Sequence, residues 1–195
     1  MPTFILASTS RFRRALLDRL GLSCEARAPQ FDEIAPTGMA PRDIARAFAE
    51  GKAKSITAGA NTWIIGCDQV ADLDGKILHK TTNIEECRAQ LLELSGKTHA
   101  LHTAVVLWSP AEGKLLDETV TVQLTMRALN KASIERYVEL DKPIGSAGGY
   151  FFEGRGIGLF ADVRGGDDSA IVGLPLLSLC RLLCQAGIEP FSVVS

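Results

Sequence analysis

No stretch of this sequence approaches the roughly 18–20 consecutive apolar residues of a membrane-spanning helix, so no membrane partner is expected. There is no excess of either charge: 21 Lys and Arg stand against 23 Asp and Glu, a net of −2. A chain whose main partner is a nucleic-acid backbone needs a broad basic excess, and that class is set aside. Five cysteines (Cys24, Cys67, Cys87, Cys180, Cys184) are odd in number and form no Cys-x-x-Cys pair. Buried or half-buried thiols in a reducing compartment fit that pattern better than a disulfide framework. The opening Met1-Pro2-Thr3-Phe4-Ile5-Leu6-Ala7 lacks the basic start and the long apolar run of a secretory signal, so a cytoplasmic protein is expected. With 18 glycines, 8 prolines and 46% hydrophobic residues, the chain is neither low-complexity nor disordered. At roughly 150 residues per domain, 195 residues give one domain over 1–195.

Helical and strand signals alternate along the chain. The apolar residues 4–7 predict a strand buried on both faces. A helix from about Ser10 places Ala15, Leu16, Leu17 and Leu20 inward and stops at Gly21. Pro41 fits the first turn of a second helix running to about Ala58. Residues 63–73 predict a strand, Asp74-Gly75 a type I′ turn, and 76–80 the returning strand of a hairpin. A helix over 84–94 ends before Gly96, strands cover 98–108 and 119–126, and Asn130 caps a helix over 131–140. A glycine-rich stretch over 145–166 precedes a closing helix over 174–186. Together these elements predict an α/β protein with a mixed sheet flanked by helices.

Three positions break the local rules. Ser8-Thr9-Ser10 precedes a helix whose first turn carries Arg11, Arg13 and Arg14. The hydroxyls are ordinary caps, but cations at a helix N-terminus oppose its dipole by up to about 1 kcal/mol each. A bound phosphate reverses that sign, because N–H groups, hydroxyls and guanidinium forks then converge on an anion. Lys52 falls in the middle of the second helix's apolar stripe, formed by Ile44, Ala45, Phe48, Ala49 and Ile56. It either snorkels or aims its ammonium at a site; since the stem still packs and no charge needs a partner, Lys52→Met is expected to preserve or raise stability. Asp68 lies in Trp63-Ile64-Ile65-Gly66-Cys67-Asp68-Gln69-Val70, a strand too apolar to be at an edge. A carboxylate there must be paired, protonated or bound to a metal.

Other candidates are weaker. Glu33 sits in an acidic loop, and Lys80 at a hairpin's end is a common way to blunt a strand edge. His99 and His102, three apart in a strand, point to opposite faces and make a poor metal pair. Cys180 and Cys184 share one side of an apolar helix and are expected in the core. Gly165-Gly166-Asp167-Asp168 reads first as a turn and only weakly as a metal loop. The zincin, nucleophile-elbow and P-loop motifs are all missing.

Taken together, Leu6-Ala7-Ser8-Thr9-Ser10 with Arg13-Arg14-Ala15-Leu16-Leu17 resembles the opening signature of the Maf (septum-formation inhibitor) family. The resemblance runs on through Phe31-Asp32-Glu33, Gly51-Lys52-Ala53, Ile65-Gly66-Cys67-Asp68-Gln69-Val70, Lys80, the helix over 91–96, Gly156-Ile157 and Val172-Gly173-Leu174-Pro175-Leu176. Phe12 before the arginine pair and Gln69 after Asp68 look like the subgroup that acts on 7-methyl-GTP. Arg11, where the family usually has proline, and His79, where glycine is common, depart from the pattern. The resemblance implies a two-lobed, inosine-triphosphatase-like fold with a long bent sheet and a central cleft, and often a homodimer. It implies hydrolysis of a nucleoside triphosphate between its α- and β-phosphates, with a divalent cation, Mg²⁺ or Mn²⁺. Ser8, Ser10, Arg13, Arg14, Lys52 and Lys80 would hold the triphosphate, and Asp68 would activate water. Glu33 and Asp68 would hold the metal, and Phe12, Gln69 and Glu153 would select the base. A pyrophosphatase for dTTP or UTP, and a non-catalytic nucleotide-binding regulator of division, remain open beside this reading.

Overall fold

A computed structural model describes residues 2–193 of the chain. Its strands join in one seven-stranded mixed sheet, ordered β2-β1-β3-β5-β6-β7, with β4 paired to β3. The chain forms two compact units, and β3, β5 and β6 contribute residues to both.

The first unit comprises Met1–Gln69, Thr103–Val120 and Asp167–Ser195. Strand β1 (Thr3–Ala7) buries four consecutive residues between two parallel neighbours, β2 (Glu25–Arg27) and β3 (Thr62–Leu73). Such double-sided burial is what a short, wholly apolar run is suited to. Helix α1 (Arg11–Leu20) begins where the Ser10 hydroxyl accepts the Arg13 N–H, and ends at Gly21 with φ of 73°. Helix α2 (Pro41–Lys54) starts at Pro41 and stops four residues short of the expected Ala58. Its end is local chemistry: Ser55 Oγ donates to the Lys52 carbonyl, diverting a backbone acceptor of the last turn. Leu6, Leu17, Ile65, Val105, Leu107, Leu174, Leu179 and Leu183 form the core of this unit with their neighbours.

The second unit comprises Val70–His102 and Thr121–Gly166. Asp74 and Gly75 both have positive φ, 52° and 87°, as the expected type I′ turn requires. They link β3 to β4 (Lys76–Leu78), with Ala71 opposite Leu78. Helix α3 (Ile84–Leu94) starts at its Asn83 cap and packs against α4 (Lys131–Asp141), capped by Asn130. Strands β5 (Thr98–Ser109) and β6 (Lys114–Met126) contribute to both units, and β7 (Phe160–Arg164) pairs antiparallel with β6 in the second.

Several expectations fail for identifiable reasons. Strand β2 and helix α5 (Asp168–Val172) have three and five residues, too short for a periodic pattern to register. Strand β6 begins at Lys114, not Thr119, because its first eight residues are all half-buried and show no alternation. Ala15 is exposed while Leu16 and Leu17 carry the buried face of α1. Cys180 is half-buried and Cys184 exposed: the buried stripe of α6 (Leu176–Gln185) runs through Leu176, Leu179, Leu182 and Leu183, turning both thiols out of the core.

One contact fixes the approach of α2 to β3. A Cβ added at Gly66 would stand 2.2 Å from the Ala49 carbonyl oxygen and 2.8 Å from Ala53 Cβ. Backbone cannot yield as a side-chain tip can, so Gly66→Ala should destabilise the protein by about 1–3 kcal/mol, the usual cost of overpacking. Urea or thermal unfolding checks this; an unchanged midpoint would show that the helix slides freely on the strand.

Candidate active site

Beyond Ala7 the chain leaves β1 and turns through Ser8-Thr9-Ser10 into α1. Ser8 is buried, and its Oγ accepts from the Ser10 N–H at 3.1 Å and from Arg13 Nη1 at 3.4 Å. Arg13 Nε donates to the Gly173 carbonyl at 2.9 Å. The guanidinium is therefore folded back over the turn, beside the first N–H groups of α1. No acidic residue occupies that first turn, so the dipole there is uncompensated by the chain itself.

Opposite Gly66, α2 presents Lys52. Lys52 and Asp68 are each 6% exposed. The ammonium donates to Asp68 Oδ1 at 2.5 Å and contacts Glu33 Oε1 at 2.6 Å. Burial raises the Asp68 pKa above the ordinary carboxylate range, while the Lys52 charge and hydrogen bond, then Arg13, pull it back down and Glu33 adds to the rise. Arg13, Lys52, Glu33 and Asp68 thus share one electrostatic neighbourhood.

Glu33 reaches Lys52 from the loop over 28–40. Two residues earlier, Phe31 packs on α2: a Cβ at Gly51 would be 2.2 Å from its ring, and the Phe31 and Phe48 rings meet edge-on at 5.8 Å. Gly51 precedes Lys52, so the missing side chain that seats Phe31 adjoins the ammonium that Glu33 meets. The two carboxylates offer hard oxygen donors around one point. No group of three or more His, Cys, Asp or Glu that could hold a metal ion occurs among the described residues. One or two carboxylates completed by phosphate oxygens are the usual donor set for Mg²⁺; here both carboxylates contact the Lys52 ammonium, so a cation would have to use the oxygens that Lys52 leaves.

The remaining expected residues are placed differently. Arg14 is exposed, and its charge acts on the half-buried Cys24, whose pKa burial raises and Arg14 lowers. Phe12 is half-buried with the Arg11 guanidinium 4.7 Å above its ring, so Arg11 covers that face. Gln69 spends its amide on Thr103 Oγ1 and the carbonyls of Ala170 and Ile171. Lys80 and Glu153 belong to the second unit and are exposed there; Lys80 bridges to Ala147. Burial, then the charges of Tyr137 and Glu153, push the Tyr150 hydroxyl up. His99 bonds Tyr150 and is lowered to about 4 by burial, hence neutral; His102 bonds Thr121. Asp167 caps α5 and Asp168 pairs with Arg19, as the turn reading requires. Two contributors were missed from sequence: Gly173, whose carbonyl anchors Arg13, and Cys67, whose thiol donates to the same carbonyl at 2.8 Å. Gly173 has φ of +119°, a conformation that favours glycine, and its place in the Val172 to Leu176 stretch of the resemblance carried no hint of that contact.

The family model described as Maf-like protein matches residues 3–186. A 7-methyl-GTP pyrophosphatase of Xanthomonas axonopodis pv. citri is 45% identical over 190 residues, 97% of this chain and 99% of its own. Another, from Xanthomonas oryzae pv. oryzae, is 44% identical over 189 residues, 96% of this chain and 98% of its own. Among solved structures, a nucleoside-triphosphatase (dITP/XTP pyrophosphatase) from Mycobacterium abscessus covers 65% of this chain and 75% of its own at 18% identity and a TM-score of 0.42, too low a likeness to carry a conclusion.

The paired ammonium reverses the expectation for Lys52→Met. Asp68 would be left buried without its nearest cation, and removing one partner of a buried pair costs about 3–5 kcal/mol. Loss of Lys52 raises the folded-state pKa of Asp68 further. The stability of the variant is then greatest below the unfolded-state value and declines as pH rises through the raised one. Denaturant unfolding across pH should therefore show a deficit that widens towards neutrality and that Lys52→Met with Asp68→Asn largely removes. A deficit independent of pH would mean that lost packing, rather than the orphaned carboxylate, is responsible.

Proposed function

The chain belongs to the Maf-like protein family, and from that premise we propose that it is a nucleoside triphosphate pyrophosphatase acting on 7-methyl-GTP. The observation that carries the reading is the buried Lys52 ammonium held between Asp68 and Glu33, in the electrostatic neighbourhood of Arg13. An anion with several oxygens suits this arrangement, because a helix N-terminus without acidic residues in its first turn, two seryl groups and a guanidinium lie in the same neighbourhood as the paired ammonium.

In the proposed reaction, water attacks the α-phosphorus and the bond from it to the α–β bridging oxygen breaks, releasing pyrophosphate and a nucleoside monophosphate. Asp68 takes the proton from the attacking water. A carboxylate raised by burial is a stronger base than an exposed one, and Lys52 keeps it ionised enough to act. Arg13 and Lys52 stabilise charge that builds on the departing pyrophosphate. Ser8, Ser10 and the first N–H groups of α1 hold phosphate oxygens, and Arg14 adds a cation; Lys80, which the resemblance also assigns to phosphate, lies in the second unit. Glu33 and Asp68 would hold a divalent cation, Mg²⁺ or Mn²⁺, which would supply further charge neutralisation on the phosphates.

Pyrophosphate release from 7-methyl-GTP with Mn²⁺ or Mg²⁺ tests the activity. Asp68→Asn should lower kcat by about 10²-fold or more, the size of a general-base contribution, while the protein stays folded. A folded variant with normal turnover would make Asp68 structural, and intact nucleotide with retained binding by the wild type would favour a regulator.

Base choice is a separate matter. N7-methylation gives guanine a delocalised positive charge, and Glu153 supplies an acidic group for it. The Arg11 guanidinium already covers a face of Phe12, so a cationic base must displace it or approach from another side. Glu153→Gln should reduce the preference for 7-methyl-GTP over GTP by about tenfold in relative kcat/KM, or about 1.4 kcal/mol. Direct competition between the nucleotides checks this; a wild type that favours dTTP or UTP would move the protein to the other substrate class.

A further inference from the structure

Successive residues of β3 face opposite sides of the sheet, so Asp68 turns to α2 and Lys52 while Cys67 takes the other side. There Cys67 is fully buried, in the core that includes Leu16, Leu17, Leu174 and Leu176. Its thiol donates to Gly173 O at 2.8 Å, and the same oxygen receives Arg13 Nε at 2.9 Å. A carbonyl oxygen has two lone pairs, so these two donors fill it. The peptide that carries this oxygen is also held from behind. Gly173 C=O and Leu174 N–H belong to one planar trans unit and point opposite ways. The Leu174 N–H donates to Ser169 O at 3.0 Å, as does the Gly173 N–H. Ser169 is itself fully buried, and its Oγ accepts from the Leu176 N–H at 2.8 Å.

Anchoring the N–H end still lets the peptide plane swing, and the thiol at its C=O end stops that swing. Arg13 depends on the result. Its Nη1 reaches Ser8 Oγ at a long 3.4 Å, whereas Nε holds Gly173 O at 2.9 Å, so the shorter bond sets the direction of the fork. Two hydrogen bonds thus join the strand bearing Asp68 to the guanidinium beside it, through a single carbonyl oxygen. We propose that Cys67 is a positioning residue for Arg13, holding the Gly173 carbonyl where that oxygen aims the guanidinium. Strand β3 then serves the site from both faces, with Asp68 toward the ammonium and Cys67 toward the anchor of the guanidinium. This role rests on the reading of Arg13 as a phosphate-holding group.

Cys67→Ala removes the donor, and Cys67→Ser restores one on a shorter bond that the 2.8 Å contact leaves within reach. Calorimetric binding of inorganic tripolyphosphate, which has no base, should weaken about tenfold in Cys67→Ala, a coupling of the size seen between neighbouring groups. Cys67→Ser should bind within about twofold of the wild type, which a loss of core packing alone would not predict. In an Arg13→Ala background, Cys67→Ala should cause no additional loss of tripolyphosphate binding. An unchanged affinity in Cys67→Ala, a Cys67→Ser variant as weak as Cys67→Ala, or an additive loss in that background overturns the proposal and leaves the phosphate site standing. A wild type that binds no tripolyphosphate overturns the reading of Arg13 and the proposal with it. Circular dichroism establishes that each variant is folded, and if Cys67→Ala is not, Cys67→Val, which fills the volume without a donor, replaces it. Should the wild type bind tripolyphosphate yet cleave no nucleotide, the proposed activity fails while the binding arms still test Cys67.

Discussion

A buried ammonium needs negative partners, and most of what surrounds Lys52 is there to supply and hold them. Isolated, such a charge would be expelled or neutralised; between two carboxylates it is retained. Satisfying it requires α2 to approach β3 closely, which Gly66 permits, and requires the 28–40 loop to return to the helix, which Gly51 and Phe31 secure. The partners are unequal. Asp68 is fixed in a strand, whereas Glu33, with a side chain 48% exposed, arrives on a loop outside regular structure. One carboxylate is part of the scaffold and the other can respond to what binds.

Electrostatics and packing pull in opposite directions here. Burial makes the Asp68 charge costly and Lys52 makes it tolerable, so its pKa is raised by less than burial alone would give. That compromise is useful for a proton acceptor, which must be ionised at working pH yet still hold a proton once it takes one. A core built for stability alone would replace the pair with apolar residues of the same volume.

What was legible in the sequence followed from how far each partner lies along the chain. Arginines at a helix N-terminus, a lysine in an apolar stripe and an aspartate in a central strand violate local rules, so each stands out within a few residues. Lys52 and Asp68 are only 16 residues apart, and their meeting was within reach of such a reading. Arg13 and Gly173 are 160 apart, Cys67 and Gly173 106, and Gln69 and Ala170 101; no periodicity announces contacts of that kind. Short elements were illegible for a different reason, since β2 and α5 draw their order from neighbours and not from pattern. The expectation for Lys52→Met changes sign because sequence shows the inward-facing charge but not the two carboxylates that meet it.

The anchoring of Arg13 on Gly173 also orders events during synthesis. Ser8, Arg13, Lys52 and Asp68 all lie within Met1–Gln69, the first of three separated stretches that make up their unit, whereas Gly173 lies in the last, Asp167–Ser195. At about 5–20 residues per second, the ribosome has delivered the acid, the ammonium and the guanidinium seconds before the carbonyl that aims one of them. A nascent chain stalled anywhere before Gly173 holds most of the site's charged groups with no Gly173 carbonyl to set the direction of Arg13. Completion of the site is thereby tied to synthesis of the third of these stretches.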